Sequence, residues 1–200
     1  MSRLIGFLVV ALTLAPAAAS PQATASADAK ARVEASLKSA ADAGVPVALL
    51  ERKIAEGEAK GVPMERIAAA VQARAEALIR ARAALARAKV QKVTEGDLSV
   101  GADAVQSGVS DAALVEVGRA APPDRRAVAI AVLTDLVILG HASDRAVAQV
   151  QSALRRGPEA LANLRAEAAS QIQVGGAVGA GVQVDGGAGV RVELGGGARP

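Results

Sequence analysis

The chain has 200 residues and a formal net charge of +3, with no cysteine and one aromatic residue, Phe7. The missing cysteines exclude a disulfide framework and thiolate chemistry, and a charge so near neutral gives no electrostatic footprint for nucleic acid as a partner. Hydrophobic residues make up 52% of the chain, but alanine supplies much of that share. The expected core is therefore shallow, with closely approaching helices and with bulk from Leu, Ile, Val and Met64. Each buried methylene is worth only about 0.8 kcal/mol, and alanine offers few.

Met1 to Ala19 reads as an export signal. Arg3 is its positive start, Leu4 to Leu14 its apolar stretch, and Pro16 precedes the Ala17-Ala18-Ala19 cleavage site. The apolar run is shorter than the roughly 20 residues a bilayer-spanning helix needs. No cysteine follows it, which excludes a lipoprotein anchor. Cleavage removes one cation, Arg3, and no acid, leaving +2. The expected location is periplasmic or secreted, with a bacterial type of signal.

Residues 20–25 read as a small, polar, flexible leader. Ser26 or Asp28 is a candidate cap for a helix running to Ala43, with Val33, Leu37 and Ala41 on one face. Gly44-Val45-Pro46 ends it and opens the next, whose stripe is Val47, Leu50 and Ile54. Gly61 suits the left-handed residue just past a helix, and Pro63 suits the first position of the following one. That long helix carries Met64, Val71, Leu78 and Leu85 every seven residues, with Ile67, Ala75 and Ile79 beside them. Two apolar stripes joined by so short a turn predict an antiparallel helical hairpin.

Thr94-Glu95-Gly96-Asp97 reads as a turn, followed by a short element from Leu98 to Ser107 weakened by Gly101. Ser110 is the expected cap of a helix from Ala112 to Arg119. Pro122-Pro123-Asp124 then opens Arg125 to Leu139, apolar on nearly every side and hence the expected buried centre. Gly140 stops that helix, Ser143 is the expected cap of the next, with Val147, Val150 and Leu154 as its stripe, and Gly157-Pro158 separates it from a last helix through Leu161, Leu164 and Ala168. A weak internal repeat is visible. Gly61, Arg66, Val71 and Gln72 share their spacing with Gly140, Arg145, Val150 and Gln151, and Gly44-Val45 matches Gly108-Val109. The intervals between these matches differ, as expected of a recurring helix-turn-helix unit rather than a solenoid.

From Gln171 the chain becomes glycine-rich, with alternating segments at Ile172-Gln173-Val174, Val182 to Asp185 and Val190 to Leu194. Disorder and a short β-ribbon around Asp185-Gly186-Gly187 are both open for residues 171–200.

The candidate functional residues are few. Arg80, Arg82, Arg87, Lys89 and Lys92 have no acid among them and end the long helix, so they form a candidate contact for anionic lipid or polysaccharide. The preferred reading is a solvated face that also suits the negative end of the helix dipole. His141, the only histidine, follows Gly140 without a neighbouring nucleophile or metal-ligand motif, and is expected to be structural. Asp135 is expected on a solvated edge with Asp124, Arg125 or Arg126 nearby, an internal ion pair being the alternative. Glu51, Glu56 and Glu58 are interleaved with Arg52, Lys53 and Lys60, which predicts a solvated face with pairs such as Glu56–Lys60. No motif implies a metal or a cofactor, and the glycine-rich tail lacks the strand-to-helix context of a dinucleotide site. Ile54 to Ile67 loosely matches a DNA-binding helix-turn-helix, but Glu56 and Lys60 stand where that motif needs apolar residues.

Val45-Pro46, Glu56-Gly57, Ala59-Lys60-Gly61-Val62-Pro63, Glu65-Arg66-Ile67 and Val71 together resemble a hairpin that recurs in uncharacterised exported bacterial proteins. The resemblance spans about 45 residues and implies a modular Ala-rich helical hairpin, with no activity attached.

The expectation is therefore an all-α chain, a multi-helix bundle of helical hairpins over residues 26–170 with a glycine-rich tail. Its expected role is non-catalytic: structural or protein-interaction work in the cell envelope, with another envelope protein as partner. The alternative is peripheral binding to an anionic membrane or surface polymer through Arg80 to Lys92. Strand addition by the tail to a partner sheet is a third route.

Overall fold

The computed structural model describes residues 21–179, with side chains from Ala25 to Ile172. The expected export signal and the last two alternating segments of the tail lie outside the described residues.

The described chain is all-helical: α1 (Pro21–Asp42), α2 (Ala48–Ala59), α3 (Met64–Arg87), α4 (Glu95–Gln106), α5 (Asp111–Ala120), α6 (Arg126–Ile138), α7 (Ser143–Arg156) and α8 (Pro158–Gly179). Two local expectations are corrected at its ends. The helix α1 begins at Pro21, so Ser26 and Asp28 lie inside it rather than capping it, and residues 21–25 are helical rather than a loose leader. The helix α8 continues to Gly179, so Ile172-Gln173-Val174 belongs to a helix rather than to a ribbon.

Five helices close in one way. After α2, the Gly61 N–H donates to the Glu58 carbonyl at 2.9 Å and the Val62 N–H donates to the Gly57 carbonyl at 3.0 Å, with Gly61 at φ +64°. This paired closure satisfies carbonyls that a helix end leaves open. The same two bonds end α1 at Gly44-Val45, α3 at Lys89-Val90, α4 at Gly108-Val109 and α6 at Gly140-His141. The recurring Gly-Val pairs in the sequence are thus helix stops, with the valine in the place that packs back on the last turn. Val45 and Val109 are both buried there.

The chain divides into two compact units, residues 1–79 and 80–200, and the expected helical domain falls across both. In the first unit, α1 buries Ala29, Val33, Ser36 and Ala40, one residue out of register with the predicted stripe at its end, since Ala41 is exposed. Leu50 of α2 and Ile67, Val71, Ala75 and Leu78 of α3 are buried as expected, whereas Val47, Ile54, Met64 and Ile79 of the same expected stripes are only half-buried. A Cβ added to Gly57 would lie 2.8 Å from Cγ1 of Ile67, so this glycine sets how closely α2 and α3 approach.

In the second unit α6 is the hub, packed against α4, α5, α7 and α8, and it buries Ala129, Ile130, Val132, Leu133 and Leu136. This matches the expected buried centre. Gly101 of α4 lies against the end of α3, where an added Cβ would stand 3.0 Å from the Ala81 Cβ. Gly118 of α5 lies equally close to Leu85 Cδ2. Gly101 is therefore a contact point rather than a weakness.

Candidate functional site

The seven-residue step from Arg80 to Arg87 returns both side chains to one face of α3. Asp111, in the first turn of α5, lodges between them. Nη2 of Arg80 donates to Oδ1 of Asp111 at 2.7 Å, and Nη2 of Arg87 donates to Oδ2 at 3.1 Å. The Arg80 hydrogen bond holds the Asp111 carboxyl below its usual range; partial burial opposes this and Arg87 adds to it. An anion has therefore already taken the central part of the expected basic face.

The other three cations are dispersed. Arg82 is half-buried, and its two-residue step from Arg80 places it on another side of the helix. Lys89 is the left-handed residue of the α3 closure, at φ +59°. The Lys92 side chain is exposed, while its carbonyl accepts from Nη1 of Arg126 at 3.2 Å. Sequence spacing could not show the Asp111 bridge, because the carboxylate comes from a residue 31 positions from Arg80 and 24 from Arg87.

The buried charge of this unit lies elsewhere. Nη1 of Arg126 also donates to Oδ2 of Asp97 at 3.1 Å, with both side chains almost wholly buried. The same Oδ2 accepts from the Thr94 N–H at 3.0 Å, and the Asp97 N–H donates back to Thr94 Oγ1 at 3.0 Å. Thr94 to Asp97, expected to be a turn, is a reciprocal cap at the start of α4. Thr-x-x-Asp was the available signal for it; nothing local announced Arg126. The guanidinium thereby ties the start of α6 to the start of α4 and to the loop before it.

Asp135 is not part of that pair. It is half-buried on α6; burial pushes its carboxyl above the usual range, while Arg165 of α8 pulls the other way. Its facing cation thus comes from α8, and not from Arg125 or Arg126 as expected. Glu56 does pair with Lys60, at 2.5 Å, and also with Lys53 at 3.0 Å. These bonds, Lys60 first, hold its carboxyl at about 2. The Ser110 hydroxyl caps α5 as expected, accepting from the Ala113 N–H at 3.2 Å. Ser143 does not cap α7; it is the first residue of the helix, after Ala142. His141 donates its backbone N–H to the Leu136 carbonyl at 3.0 Å, and it is half-buried.

Among the described residues, no group of three or more His, Asp or Glu side chains is placed to hold a metal ion. No described helix is long and apolar enough to cross a membrane. Comparison with protein-family models, with curated proteins and with solved structures gives no match.

Proposed function

We propose that this is an exported, non-catalytic helical protein that works by contact with another protein of the cell envelope. The observation that carries this reading is the employment of its charge. Asp97 and Arg126 join the starts of two helices inside the second unit. Asp111 locks α5 to the end of α3 through Arg80 and Arg87. Glu56 gathers two lysines along α2. The clusters with defined geometry are spent on holding helices, which leaves the helical surfaces to make the external contacts. The export signal at Met1 to Ala19 supports the location.

Cell fractionation with mass spectrometry of the N-terminus, followed by cross-linking in the envelope fraction, tests this. A chain starting near Ser20 and cross-linked to a discrete envelope protein is expected. A cytosolic chain that retains Met1, or a defined turnover lost on Asp135→Asn or His141→Ala, would overturn it.

A second reading keeps the anionic surface. Arg82, Lys89 and Lys92 take no part in the Asp111 bridge, so an external anion would meet them as separate charges rather than as one face. It predicts salt-sensitive co-sedimentation with phosphatidylglycerol vesicles, abolished when all three are replaced by Glu. Absence of binding at low salt would remove it.

A further inference from the structure

Arg80 and Arg87 converge on one carboxylate. Nη2 of Arg80 reaches Oδ1 of Asp111 at 2.7 Å and Nη2 of Arg87 reaches Oδ2 at 3.1 Å, so each oxygen is held by a different guanidinium. Both arginines stand on α3, about two turns apart, and the helix fixes that spacing without help from α5. The clasp is therefore built by α3 alone, and Asp111 is its occupant rather than part of its frame.

That occupant is placed to leave. The arginine side chains are 54% and 57% exposed and the aspartate 33%, so a solute can reach all three. Exposed ion pairs hold weakly, because water screens them and two long side chains must be ordered. Asp111 also loses little on release, since it stands in the first turn of α5, where the helix dipole favours a carboxylate. A free monocarboxylate offers the clasp no more than Asp111 does and lacks the effective concentration of a tethered group. A phosphate brings almost two charges and at least three acceptor oxygens, and the planar guanidinium forks match it bidentately. We propose that the Arg80–Arg87 clasp is a phosphate-binding site whose built-in occupant, Asp111, gives way to a phosphate dianion and so frees the start of α5 from α3. The site rests on neither reading above, because Arg82, Lys89 and Lys92 lie outside the clasp. The shared chemistry is that of free phosphate and of a phosphatidic acid headgroup.

Titration of the isotope-labelled full chain with sodium phosphate at about pH 8, where phosphate is mainly a dianion, tests the site by NMR. Ionic strength is held constant with sodium chloride, and acetate serves as the monocarboxylate control. The expected result is saturable shifts at the guanidinium carbons of Arg80 and Arg87 and at the Asp111 backbone amide, with a Kd on the order of 10 mM and acetate about tenfold weaker. Asp111→Asn should bind phosphate about fivefold tighter, the gain from removing a competing exposed ion pair. The double variant Arg80→Gln, Arg87→Gln should show no saturable shift. All three side chains reach the surface, so these variants leave the core intact. No saturable shift in either the parent chain or Asp111→Asn, an affinity of Asp111→Asn no greater than that of the parent, or equal affinity for acetate would overturn the proposal. Co-sedimentation with phosphatidic acid vesicles separates the sources: retention that the double variant loses assigns a headgroup, and phosphate binding without retention assigns free phosphate.

Discussion

Arg126 enters the interior of the second unit with its Nε buried and without a hydrogen-bond partner. Such a group costs about 1–3 kcal/mol, so its persistence reflects what Nη1 does for Asp97 and the Lys92 carbonyl. Two other carboxylates act with opposite sign. Asp111 is held below its usual range, so its contribution is present above about pH 4 and fades as pH falls through the lowered value. Asp135 is pushed up, so its contribution is present below about pH 4 and is lost as pH rises through the raised value. At pH 7, Asp111→Asn should therefore lower the Tm slightly and Asp135→Asn should raise it, and both differences should shrink toward pH 3; thermal unfolding across that range checks the signs. Lys89 holds a left-handed backbone with a side chain attached, a strain of about 1–2 kcal/mol. Lys89→Gly should stabilise by roughly 0.5–1 kcal/mol after glycine's larger unfolded-state entropy is allowed for, measured by urea denaturation.

Helix ends were the most legible elements. Gly44, Gly61, Gly108 and Gly140 each mark a stop because the paired closure needs a positive φ just past the last turn, a local demand that the residue type announces. Starts were less legible. Ser110 caps α5, whereas Ser143 does not cap α7, since a start also depends on where the preceding turn releases the chain. Gly101, inside a helix, is harder to read for a different reason. The reading of Gly101 as a weak point rested on propensity, but its environment is set by Ala81, twenty positions away, which no helical period reveals. Gly118 lies just as close to Leu85. Gly118→Val should push α5 off the end of α3 and cost about 1–3 kcal/mol, read as a lower denaturation midpoint at unchanged slope. A cost near zero would mean that α5 can shift without loss.

For the molecule, the periodic apolar stripes make the all-helical class of the described residues and the central place of α6 within the second unit readable in advance, because burial on nearly every side leaves a short helix no place but the middle of its unit. The candidate site was readable only as a list of cations. What the basic residues do depends on Asp111, and what the buried charge does depends on Asp97 meeting Arg126 across 29 positions. Pairings of that reach belong to the fold and not to any window of sequence. The proposed contact role rests on these pairings, which build charge into the scaffold. The claim that charge is built into the scaffold is tested most directly by a double-mutant cycle on Asp97→Ala and Arg126→Met by chemical denaturation. Each single change should cost about 3–5 kcal/mol by stranding a buried charge or its hydrogen bonds, and the pair should show a coupling of at least about 2 kcal/mol. Additive effects within about 0.5 kcal/mol would mean that the two charges do not hold the helices together, and the architectural reading of this protein's charge would fail.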